Sequence, residues 1–136
     1  MSETGADEPE AARAAVQRYL AALNGHDAAA IAACVTEDFV NEHTAIGGRD
    51  RRGRAEYRSA LVDFLRDFTE LQYLPDDLIA EGERVAVPYR MSFRHRPSGG
   101  TAVSVRGVFV FRVAAGLIAH RVDYWDSGEV ARQLAG

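Results

Sequence analysis

Apolar residues recur every three or four positions through the first part of the chain and at strand-like density through the last part. Ala12, Val16, Tyr19, Leu20 and Leu23 share one stripe of a helical repeat, which predicts an amphipathic helix. Pro9 suits its first turn, where the missing N–H costs nothing, and residues 1–8 then form a frayed polar tail. Asn24-Gly25 ends this helix, and Asp27 is placed as the N-cap of a shorter one carrying Ile31 and Val35. An extended segment is expected from Asp38 to Ile46, closed by Gly47-Gly48. The charged turn Arg49-Asp50-Arg51-Arg52-Gly53-Arg54 leads into a third helix with Tyr57, Leu61, Phe64, Leu65 and Phe68 on one face.

Residues 83–96, 101–114 and 117–126 are rich in Val, Phe, Tyr and Ile, as strands are, and 70–81 is a weaker fourth segment. Pro97-Ser98-Gly99-Gly100 and Ala114-Ala115-Gly116 read as hairpin turns, because glycine supplies the positive φ such turns require. Strands joined by short hairpins are antiparallel. Ser127 is placed as the cap of a terminal helix ending near Leu134. Helices first and a meander afterwards predict an α+β fold with segregated layers. A curved antiparallel sheet is wrapped by three N-terminal-half helices around one pocket, in a single domain over residues 9–136.

Composition narrows the function classes. A chain of 136 residues is one domain's worth and buries a proper core without staples. A net charge of -4 argues against nucleic acid or an anionic membrane as the main partner. Cys34 is the sole cysteine, so neither an intrachain disulfide nor a cysteine metal site is expected. The spacing of His, Asp and Glu suggests no metal site either, and no cofactor is expected. The polar, acidic start lacks the features of a signal peptide, and no apolar run approaches the ~20 residues of a membrane span. A cytoplasmic protein that takes a small hydrophobic molecule is the resulting expectation.

The stretch from Val16 to Asn24, followed by Asp27 and Glu37-Asp38, resembles the opening of bacterial ketosteroid isomerases. The stretch from Gly116 to Asp126 is similar to the last strand of limonene-epoxide hydrolases and of SnoaL-like polyketide cyclases. The ending Val130-Ala131-Arg132-Gln133-Leu134 also resembles SnoaL-like proteins. All belong to the NTF2-like superfamily, and the resemblance implies its cone-shaped fold, which hosts enzymes and binders alike. By that resemblance Tyr19 falls at the oxyanion-hole tyrosine of the isomerases. His43 falls where they keep the carboxylate that moves the proton, and Gly107 where their second donor sits. The epoxide hydrolases use an arginine bridging two aspartates. Asp123 matches the second aspartate, but Tyr89 and Met91 stand for the arginine and the first one. Asn41 and His43 replace the pair that positions the hydrolases' water. In SnoaL-like cyclases an acid on the last strand starts an aldol closure, which makes Asp123 or Asp126 a candidate. The resemblance also implies a homodimer through the outer face of the sheet, which carries Val108 and Val110.

Strand alternation puts Arg121, Asp123 and Trp125 on one face, and His120, Val122, Tyr124 and Asp126 on the other. Tyr89, Met91 and Phe93 share the apolar face of an earlier strand. An aspartate among Trp125, Met91 and Phe93 loses solvation, which raises its pKa and suits it to shuttle protons. His43 offers a base near neutral pH. Asp123, His43 and Tyr19 are therefore the catalytic candidates, with Asn41, Tyr89, Met91, Phe93, Phe39, Arg121 and Trp125 as substrate contacts. The expected chemistry is acid/base proton transfer, an aldol cyclisation or isomerisation, on a hydrophobic oxygenated substrate; epoxide hydrolysis fits less well. Two alternatives stand beside it. Asp123 pairing with an arginine, His43 as a structural histidine and Tyr19 as core would leave a binding protein without chemistry, or a dimeric interaction module.

Overall fold

The computed structural model describes residues 4–136, with side chains from Pro9 onward. The elements in chain order are α1 (Thr4–Gly25), α2 (Ala28–Ala32), β1 (Val35–His43), β2 (Arg51–Arg52) and α3 (Arg54–Asp67). Then follow β3 (Phe68–Pro75), β4 (Ile79–Glu81), β5 (Arg84–His95), β6 (Thr101–Ala114), β7 (Leu117–Trp125) and α4 (Ser127–Ala135). Helix α1 begins at Thr4 and carries Pro9 inside it, ahead of the expected start. Residues 1–3 of the expected tail lie outside the described residues.

Helix α2 starts where expected, because the Asp27 carboxylate accepts from the Ala29 and Ala30 amides at 3.0 and 3.2 Å. It stops at Ala32, so Val35 opens β1 instead of extending the helix; the chain is drawn into the sheet where Val35 pairs with Ile118. Phe68 likewise leaves the α3 stripe to open β3 opposite His95, stacking on Phe64 at 4.5 Å and packing with a tilt against Phe93 at 4.6 Å. The terminal helix is capped by Asp126, not Ser127. Asp126 has extended backbone, and its carboxylate accepts from the Gly128 and Glu129 amides at 2.9 and 3.2 Å. That role holds Asp126 on the exposed outside and leaves Asp123 as the last-strand acid that faces inward.

The sheet runs β2-β1-β7-β6-β5-β3, with β4 pairing β5. Strands β5, β6 and β7 are antiparallel hairpin neighbours, as the glycine turns dictate. One edge departs from an all-antiparallel sheet: β1 lies parallel to β7. These strands are far apart in sequence, so no tight turn constrains their direction. Register shifts near Glu70 in β3, where φ is +53°, and near Arg112 in β6 bend the sheet, as bulges do. Helices α1 and α3 fill the concave side. Val16, Tyr19, Leu23, Phe39, Val87, Phe109 and Phe111 are buried there at 0–1% exposure, and Tyr19 meets Phe111 edge-on. Helix α4 is fastened by Gln133. Its amide exchanges hydrogen bonds with the Ser104 N–H and C=O (2.8 and 2.7 Å), on a stretch of β6 beyond the end of β7.

Candidate functional site

Between α3 and the concave face of β1, β7, β6, β5 and β3 the fold leaves a cavity of about 360 Å³. That is within the range of small-molecule sites, and most of its walls are apolar, as such sites are. The strand ladders set its polar groups in rows. Parallel pairing of β1 with β7 puts Asn41 opposite Arg121 and His43 opposite Asp123. One step further, Trp125 lies opposite Gly107, which lies opposite Tyr89. Residues of like parity on each strand share the concave face, so acid, histidine, arginine, indole and phenol converge there.

Asp123 is 4% exposed, and its Oδ1 accepts from the Tyr89 hydroxyl at 2.6 Å. No arginine nitrogen among the described residues comes within 4.0 Å of it, so the expected alternative of an ion pair with Arg121 is not what holds the carboxylate. Burial pushes its pKa above the usual aspartate value, and the Arg121 charge and the Tyr89 hydrogen bond offset this only in part. Gly107 makes the Tyr89 contact possible. A Cβ there would overlap the Tyr89 hydroxyl and stand 2.7 Å from the Tyr124 carbonyl oxygen.

His43 is not the near-neutral base expected of an untuned histidine. Burial and, next, the Arg121 charge lower its pKa from 6.5 to about 4. The Trp125 indole N–H, which can only donate, lies 3.2 Å from Nδ1. Nδ1 is therefore the acceptor from the indole, while Nε2 lies 3.5 Å from the Asn41 amide nitrogen, itself a donor. The 3.6 Å approach of Nδ1 to Asp123 Oδ2 is then a contact with a neutral imidazole and not an ion pair. Asn41 is aligned by Arg121, whose Nε donates to its Oδ1 at 2.7 Å.

Tyr19 is also placed otherwise than expected. It is fully buried behind the cavity wall, where Arg121 Nη1 donates to its hydroxyl at 2.9 Å and the Tyr57 hydroxyl lies 2.5 Å away. Tyr57 comes between Tyr19 and the cavity and lines it. Phe39 likewise packs beneath Tyr57, ring centroids 4.7 Å apart, and does not line the cavity. Asn41, Tyr89, Met91, Phe93, Arg121 and Trp125 do line it, with His43 and Asp123. Sequence reasoning missed Tyr57 and Tyr73. The Tyr73 hydroxyl makes no hydrogen bond to a described residue, yet no buried side-chain oxygen is left unpartnered, so it opens on the cavity. Burial raises the pKa of both phenols, keeping them protonated donors. Tyr73 had a sequence signal in the alternation of Leu71 and Tyr73, but it sits on the strand with the weakest pattern.

The bent sheet closed by helices is the fold of solved ketosteroid isomerase-like and NTF2-like proteins. The chain belongs to the SnoaL-like domain family, whose model matches residues 16–121. No curated protein matches the sequence significantly. Among solved structures, a candidate polyketide cyclase from Xanthomonas campestris pv. campestris is 24% identical, with 93% of this chain and 98% of that chain covered and a TM-score of 0.81. An LEH-like epoxide hydrolase from M. tuberculosis is 23% identical over 94% and 92% of the two chains, with a TM-score of 0.80. A hypothetical protein of ketosteroid isomerase-like fold from Catenulispora acidiphila, solved with trimethylamine, is 17% identical over 89% and 92%, with a TM-score of 0.81. At these identities the likeness is one of fold. Among the described residues no helix is long and apolar enough to cross a membrane, and no cluster of His, Cys, Asp and Glu is arranged to hold a metal ion.

Proposed function

We propose that this chain is an enzyme that moves a proton between carbon and oxygen in an apolar carbonyl compound, by aldol cyclisation or isomerisation. The observation that carries this reading is the state of Asp123: a carboxylate in an apolar cavity, held by one phenol and left unpaired by arginine. Its raised pKa makes it a stronger base than an aspartate in water. Asp123 Oδ2, the oxygen Tyr89 leaves free, takes a proton from the carbon beside the carbonyl. The C–H electron pair becomes the C=C of an enolate, and the carbonyl π pair moves to oxygen. Tyr73 and Tyr57 donate to that oxygen, and Arg121 polarises Tyr57 through Tyr19. The enolate carbon then either bonds to a second carbonyl carbon, whose oxygen receives the proton, or is reprotonated at another position. His43, held neutral by burial, is not the base. Hydrolysis of an epoxide is disfavoured, because Asp123 is the one carboxylate among the lining residues.

Binding without chemistry is the second reading. It is favoured by the Tyr89 hydroxyl, which already occupies one Asp123 oxygen. Incubating a panel of polyketide-like and steroid ketones in D2O separates the two. Deuterium entering the carbon next to the carbonyl with wild-type protein, and failing to enter with Asp123→Asn, supports the enzyme. Ligands that raise the melting temperature but exchange no hydrogen move the assignment to a binding protein.

A further inference from the structure

The charge of the cavity opposes that of the molecule. The chain carries a formal net charge of -4, yet the lining residues include Arg49, Arg51 and Arg121 against a single carboxylate, Asp123. Arg121 is accounted for inside, by Asn41 and Tyr19. Arg49 and Arg51 are not. They stand on the segment that follows Gly47-Gly48, and Arg51 is held in β2 directly opposite Asn41. Arg51 is half-buried, and neither guanidinium has a carboxylate within 4.0 Å among the described residues. The nearest acid in sequence, Asp50, is turned away to accept the His43 amide N–H at 2.9 Å. A guanidinium that is partly desolvated and unpaired favours an anion, which it binds through two parallel hydrogen bonds.

We propose that the ligand of this cavity is an apolar anion, whose carboxylate or phosphate group is held by Arg51 and Arg49 while its hydrocarbon body enters among Met91, Phe93 and Phe64. The inference names the substrate class of the site described above and rests on that site being a ligand pocket, but not on any reaction occurring there. Placed so, the anion remains at the arginine end and the apolar body carries the reacting carbonyl toward Asp123. The arginines and Asp123 then orient the ligand between them, as specific pockets require of their few polar groups.

Titration calorimetry with decanoate, decyl phosphate and the uncharged decanamide tests this without any turnover. Wild-type protein is expected to bind one of the anions about tenfold or more tightly than the amide, the scale of one charge-assisted contact. The tighter of the two anions identifies the head group. Arg51→Gln is expected to remove most of the preference and Arg49→Gln part of it, with amide binding unchanged in both. Raising sodium chloride from 50 to 500 mM should weaken the anion and spare the amide in wild-type protein, which keeps the test independent of how the variants fold. Equal affinities for anion and amide, or no binding of either anion, would overturn the inference. Asp123→Asn removes a negative charge from the cavity and is expected to bind the anions at least as tightly as wild type does. Failure of the deuterium exchange with anion binding intact therefore counts against the enzyme reading and not against this one.

Discussion

The phenol of Tyr89 lies across Gly107 on the neighbouring strand, in space that a side chain at residue 107 would fill. The Tyr89 hydroxyl crosses that gap to donate to Asp123 at 2.6 Å. Gly107→Ala should therefore displace the ring and break its hold on the acid. Overpacking of this kind costs roughly 1–3 kcal/mol, measurable by urea denaturation, and catalysed exchange should fall with it. In a Tyr89→Leu background the same change should cost less. Equal costs in both backgrounds would show that the glycine serves the backbone near Tyr124 and not the phenol.

Asp123→Asn should raise the stability of the protein near neutral pH while abolishing proton transfer. The folded pKa lies above the unfolded one, so at neutral pH the buried carboxylate costs stability, and the cost is relieved as pH falls through the raised value. The amide keeps an oxygen for the Tyr89 hydroxyl. Comparing unfolding midpoints at pH 7 checks this, and a lower midpoint for the variant would mean that the carboxylate stabilises the fold.

His43 has the opposite sign. Its folded pKa of about 4 lies below the unfolded 6.5, so its neutral form adds stability that is fully present above pH 6.5 and lost as pH falls toward 4. The loss amounts to about 3 kcal/mol at most. The stability difference between wild type and His43→Gln should shrink by that order over this range. An NMR titration of the imidazole should find no inflection between pH 6 and 7.

Tyr73→Phe removes a hydroxyl that bonds to no described residue, so stability should change by less than about 0.5 kcal/mol. If that hydroxyl supports an enolate oxygen, exchange should slow by about 10²–10³-fold, as when one oxyanion donor is removed. A rate near wild type would leave Tyr57 as the donor.

The three long strands, the two hairpins and the Asp27 cap were all legible in the chain, because each depends on neighbours a few residues away: β-branched runs, positive-φ glycines, a short acid before a helix. Alternation also separated Arg121, Asp123 and Trp125 from Asp126 along β7, but which set faces inward was suggested only by the resemblance to epoxide hydrolases and was decided by the fold. Local competition misled at the element ends. Ser127 and Asp126 are both capping residues, and Val35 and Phe68 continue helical stripes until strand pairing takes them. The site itself was decided by tertiary structure. The parallel pairing of β1 with β7 joins segments some eighty residues apart, so no local pattern reveals that His43 lies beside Asp123 or Asn41 beside Arg121. Nor does residue type disclose solvation: Tyr19 reads as a pocket donor until Tyr57 is seen in front of it, and His43 as a base until burial lowers its pKa. Sequence sets what each segment prefers to become, whereas protonation and hydrogen-bond roles depend on which groups the fold brings together and on how much water it leaves between them.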